Sequence, residues 1–138
     1  MAERPIQRIS PLDLRRNVAV GVPFPLGGTP IFSSTFSTQD QAISNLKCLL
    51  LTRKGERPFQ PLFGTDLPSF LFEQITEDIT IQIENDIVDT FSTWLPFVEL
   101  REINIDKGDQ DLNRLGIDIK FNIRNAPTEL ESVGVVLE

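Results

Sequence analysis

Hydrophobic positions recur at helical spacing in two stretches of the chain and alternate with polar ones in a third. Ala42, Ile43, Leu46, Leu49 and Leu50 form one apolar stripe, which predicts a helix over about 39–52. Thr38 with Gln41 three residues on has the form of a capping box, and Arg53-Lys54-Gly55 reads as a basic last turn with a glycine stop. Ile79, Ile83, Ile87, Phe91 and Trp94 share one face of a second helix, over about 77–95. Pro96 ends it. Between the two helices, Pro58, Pro61, Gly55 and Gly64 predict a loop over 53–65. A short helical turn then runs from Asp66 to Glu73, with Asp66 as its N-cap and Pro68 in the first turn.

Strands follow. Val98 and Leu100 alternate, but Ile103 and Ile105 fall on the other parity, so the spacing predicts a β-bulge near Arg101–Glu102. Lys107-Gly108-Asp109 reads as a turn. Leu115, Ile117, Ile119, Phe121 and Ile123 alternate strictly with polar residues, the pattern of a half-buried strand. Asn125-Ala126-Pro127 reads as a break, and Leu130, Val133, Val135 and Leu137 as a last short strand. The class is α+β: two main helices packed on a small, mainly antiparallel sheet.

The first 37 residues differ from the rest. Pro5, Pro11, Pro23, Pro25 and Pro30 interrupt them, leaving room for one short strand at Asn17–Gly21. This stretch carries four basic and two acidic residues, whereas the remainder carries nine basic and eighteen acidic. We read 1–37 as an extended arm and 38–138 as a single domain. Ile6, Ile9, Leu12, Val18, Val20, Phe24, Leu26, Ile31 and Phe32 make the arm too apolar for a solvated tail, so it is expected to order on a partner.

Composition removes most enzyme chemistry. The 138 residues include no His, no Tyr and one Cys. Histidine-based nucleophile activation and a disulfide framework are therefore absent. The net charge of −7 opposes nucleic-acid binding. No stretch has the length or apolarity of a membrane span or a signal sequence. Carboxylates are the plentiful reactive groups. Glu73, Glu77, Asp78, Glu84, Asp86 and Asp89 lie within seventeen residues, and most of them map to the solvent side of a helix, as an acidic surface suited to a basic partner. Glu84 lies beside the apolar stripe, where an ion pair with an arginine is expected. Asp106, Asp109 and Asp111 lack calcium-loop spacing and read as a solvated turn. Cys48 reads as a buried structural thiol. No cofactor or metal is expected.

The loop carries the most specific signal. Asn45-Leu46, then Leu49-Leu50-Leu51-Thr52-Arg53-x-Gly55-Glu56-Arg57-Pro58, then Pro61-x-Phe63-Gly64, then Leu67 and Leu71-Phe72 resemble the baseplate wedge proteins of contractile phage tails. A small baseplate protein of type VI secretion systems is of the same family. The likeness spans about Thr38–Ile123. It implies a non-catalytic structural subunit whose fold is similar to the strand-exchanging domain of contractile sheath subunits. The implied partners are other wedge proteins, first-ring sheath subunits and the tail tube or hub. The implied place is the tail baseplate of a virion assembled in the bacterial cytoplasm, with secretion-system or tailocin-like particles as the alternative. The family has also been described as an acidic lysozyme, which the residues above do not support.

Candidate partner-binding residues follow from the loop and from the end of the second helix. They are Arg53, Gly55, Glu56, Arg57, Pro58, Phe63 and Gly64, with Leu95, Pro96 and Phe97. Arg53 and Arg57 are each expected to pair with a carboxylate. The family's Glu-Pro-Arg anchor corresponds to Leu95-Pro96-Phe97, which keeps only the proline, so an apolar contact takes the place of a charged one. Leu130, Val133, Val135 and Leu137 are the candidate strand-exchange edge.

Overall fold

The computed structural model of the protein describes residues 17–27, 33–74, 76–106, 114–124 and 126–137. The chain divides into two compact units, Met1–Cys48 and Leu49–Glu138. The arm residues Ile6, Ile9, Leu12, Ile31 and Phe32 lie outside the described residues, as do the 107–109 turn, Asp111 and Asn125.

In the first unit, the Val20 N–H donates to the Thr35 carbonyl at 2.7 Å and the Thr35 N–H to the Gly21 carbonyl at 2.8 Å. This is one antiparallel bridge, not a strand over Asn17–Gly21. Helix α1 spans Thr38–Leu51. Its Gln41 carboxamide accepts the Thr35 hydroxyl at 2.6 Å and donates to Asn45 Oδ1 at 2.8 Å. Gln41 thus ties the bridge to the helix. The Ser44 hydroxyl accepts the Phe24 N–H at 3.2 Å. Ala42 and Leu46 are buried, while Cys48 is only half-buried, more open than its apolar neighbours suggested.

The second unit holds α2 (Leu67–Phe70), α3 (Glu77–Trp94), β1 (Val98–Asp106), β2 (Leu115–Ile123) and β3 (Ala126–Leu137). Thr76 caps α3 by accepting the Ile79 N–H, and Glu77 and Asp78 complement the positive end of its dipole. Ile83, Ile87, Thr90 and Phe91 are buried. Helix α3 packs against β1.

The sheet is antiparallel, in the order β1-β2-β3. The bulge falls as expected: Leu100 pairs with Phe121, Glu102 with Lys120, and Arg101 is the extra residue. Because of it, Val98, Leu100, Ile103 and Ile105 all oppose the apolar parity of β2, at Ile123, Phe121, Ile119 and Ile117. Removing one residue from the pairing count returns both isoleucines to the core side. On the other flank Leu115, Ile117 and Ile119 oppose Leu137, Val135 and Val133, all buried. The opposite face is polar, with Lys120 bonded to Glu102 at 2.7 Å.

The last strand is longer than its sequence suggested. It begins at Ala126, includes Pro127, and runs for 12 residues. Proline is tolerated there because β3 is an edge strand.

Candidate functional site

The loop of residues 52–65 is closed at its neck by Thr65. The Thr65 N–H donates to the Thr52 carbonyl at 2.9 Å, and the Lys54 N–H donates to the Thr65 carbonyl at 3.3 Å. The Thr65 hydroxyl, fully buried, donates to the Leu50 carbonyl at 3.0 Å. Gly64 makes this closure possible. Its φ is +120°, and a Cβ there would run into the Thr52 carbonyl oxygen. Gly55 also has a positive φ, +87°, but faces open space.

Within the loop the Gly55 N–H donates to the Pro61 carbonyl at 2.6 Å, and turns link Arg57 to Gln60 and Gln60 to Phe63. The Glu56 carboxylate accepts the backbone N–H of Arg53 at 2.9 Å. It serves as a local cap for the chain and is not the arginine partner that its flanks suggested.

At the loop, Lys54 carries two ion pairs. Its ammonium lies 2.7 Å from Asp86 Oδ1 on α3 and 3.0 Å from Asp66 Oδ2. Asp86 Oδ2 also accepts the Asp66 N–H at 3.1 Å. Partial burial works against charging Lys54, but hydrogen bonds and charge from Asp86 and Asp66 outweigh it and raise its pKa above the ordinary value. Asp86 therefore belongs to the loop's anchorage and not to a free acidic face. Asp66 sits at the N-cap of α2, where its side chain makes no cap bond.

Arg57 has its guanidinium 3.9 Å from the centre of the Phe63 ring. Phe63 in turn meets Trp94 edge-on, with ring centres 5.1 Å apart. The last turn of α3 and the loop are thus joined by a cation–aromatic–aromatic stack. Arg53 is exposed and forms no ion pair among the described residues. Glu84 is half-buried, also without an ion pair among them.

Leu95-Pro96-Phe97 forms the corner from α3 into β1. The Leu95 N–H donates to Phe91, the Val98 N–H to Leu95, and the Arg124 N–H to the Phe97 carbonyl at 2.8 Å. Leu95 is buried, whereas Pro96 and Phe97 are exposed. Leu130 lies within the β3 span, and Val133, Val135 and Leu137 point into the core.

The loop motif lies inside a recognised sequence family. The family model described as baseplate wedge protein gp25 matches residues 28–128. The chain belongs to this family. It is 29% identical over 94 residues to the baseplate wedge protein gp25 of Enterobacteria phage T4, covering 68% of this chain and 70% of that one. The family fold recurs in the cryo-EM baseplate of the anti-feeding prophage, at 26% identity and a TM-score of 0.65, covering 78% of this chain and 86% of its counterpart. It recurs in a crystal structure from Geobacter sulfurreducens described as a candidate tail lysozyme. There the identity is 24% and the TM-score 0.64, over 76% of this chain and 95% of that one. That last likeness speaks for the fold alone.

Among the described residues no helix is long and apolar enough to cross a membrane. Nor does any cluster of three or more carboxylate or thiol groups there suit a metal ion.

Two exposed side chains escaped the sequence reading. Phe59 is 97% exposed and Leu62 is 76% exposed, both at the tip of the loop. Apolar residues between prolines read equally well as interior or exterior. Only the turns that aim Phe63 inward show that its neighbours face out.

Proposed function

We propose that the protein is a non-catalytic structural subunit of the baseplate of a contractile tail or phage-like particle. It docks there on neighbouring wedge proteins and templates the first ring of sheath by strand addition. The family match over residues 28–128 carries this reading. The sheet adds physical support, because β3 is a long edge strand on a three-stranded sheet. An edge of this kind offers unpaired N–H and C=O groups to a strand from another chain. Here β3 stays on β2 as a fixed template, since Val133, Val135 and Leu137 are buried. Arg53 and the exposed Pro96–Phe97 corner face wedge neighbours, and the arm of residues 1–37 orders on them.

The resemblance to the anti-feeding prophage baseplate favours a secretion-type or tailocin-like particle as the second setting. Deleting the gene tests the first reading. Tubes lacking sheath, with normal particles on complementation, are expected. Full sheaths in its absence overturn it. A peptidoglycan hydrolase would instead clear a zymogram and lose that activity on Glu73→Gln or Glu84→Gln.

A further inference from the structure

The loop tip combines two properties rarely left without use: full exposure of large apolar side chains and rigid backing. Residues 58–62 are all exposed, with Phe59 and Leu62 most so. Behind them the loop is held by the Gly55–Pro61 bond, the two turns around Gln60, the Thr65 neck and the Arg57–Phe63–Trp94 stack. Pro58 and Pro61 restrict the chain further. A mobile loop could fold its apolar groups away, but this one cannot do so without breaking those contacts. Presenting anchors in a fixed geometry lowers the entropy lost on binding.

Charge narrows the partner. Residues 53–64 contain Arg53, Lys54 and Arg57 against one acid, Glu56, within a chain of net charge −7. Lys54 is neutralised by Asp66 and Asp86, whereas Arg53, at the neck beside Thr65, is exposed and forms no ion pair among the described residues. We infer that Phe59 and Leu62 form a preformed knob. It inserts into an apolar pocket rimmed by carboxylates on a different protein of the same baseplate. This inference rests on the wedge-subunit reading. Two copies of so acidic a chain repel each other, which argues against self-insertion. The segment is turned back on itself, which argues against docking as an extended proline-rich ligand.

The test uses particles assembled from a genome lacking the gene, with the full chain supplied in trans. Phe59→Ser/Leu62→Ser should melt within about 2 °C of wild type, because both side chains are exposed. Its amount in purified particles should fall at least tenfold, a drop of the size expected for losing central apolar anchors. A photoreactive phenylalanine analogue at position 59 should cross-link, in particles carrying it, to one baseplate protein of different sequence. This second measurement keeps the test decisive even if the double variant misfolds. Normal incorporation of a folded double variant, a cross-link to a second copy of this chain, or no cross-link overturns the knob and leaves the wedge reading standing. Absence of the wild-type chain from purified particles overturns both.

Discussion

Lys54 and Asp86, thirty-two residues apart, meet at 2.7 Å and fasten the motif loop to α3. The contact also fixes Asp66, whose N–H donates to the same carboxylate. Lys54→Met should cost about 1 kcal/mol, the upper range for a partly exposed pair. That is roughly 4 °C in melting temperature. The pH dependence has a definite sign. The pKa of Lys54 is raised in the folded state, so its contribution is complete below its unfolded value of 10.5 and is lost as pH rises through the folded one. The difference between wild type and Lys54→Met should hold constant from about pH 6 to 9 and shrink only in strong alkali. A difference that disappears near neutrality would place the stabilisation elsewhere.

The two loop glycines should respond unequally to alanine. Gly55→Ala meets only the backbone preference, about 1–2 kcal/mol for a left-handed residue. Gly64→Ala meets that preference and drives a Cβ into the Thr52 carbonyl, so the neck must open. Chemical denaturation of both variants should show Gly64→Ala as the more damaging by at least a further ~1 kcal/mol. Equal effects would mean that the neck relaxes freely.

Helix α1, helix α3 and the bulged strand were legible because their apolar positions carry an unambiguous period. The bulge in particular needed no structure: Leu100 and Ile103 cannot face one core unless a residue is skipped. The loop anchorage was not legible. Asp86 has the spacing of a solvent-facing residue, and nothing local marks it as the partner of a lysine thirty-two positions away. The same limit applies to Arg57. Nothing local shows that Glu56 accepts a backbone N–H or that Arg57 lies over an aromatic ring. The final strand was underestimated because proline and glutamate weaken its early residues, and its pairing with β2 starts at Ala126, opposite Ile123, before a register shift that no local pattern marks.

Trp94, the only tryptophan, reports directly on the loop. Phe63→Leu should remove the edge-on ring contact and the surface under Arg57, at about 1–2 kcal/mol in total. Its fluorescence should shift to longer wavelength as water reaches the indole, before global unfolding. An unchanged spectrum would show that the stack does not shield Trp94.

The β3 edge makes the sharpest test of how a sheath could start. In a strand with one paired flank, N–H groups alternate between the neighbour and the open side. In the isolated protein, amide exchange over Glu131–Leu137 should therefore alternate, with every second site protected by β2. When a guest strand adds to the open side, the other set should become protected, as read in particles carrying sheath against baseplates without it. Strand addition in which β3 stays in place also survives locking it. Lys120 and Ser132 oppose each other, so Lys120→Cys/Ser132→Cys can be oxidised across the polar face. Because Val133, Val135 and Leu137 already hold β3 in the core, the locked protein should still support full-length sheaths. Sheath loss that is restored by reduction would mean that β3 must leave β2. No new protection in sheathed particles would mean that the sheath docks away from this edge.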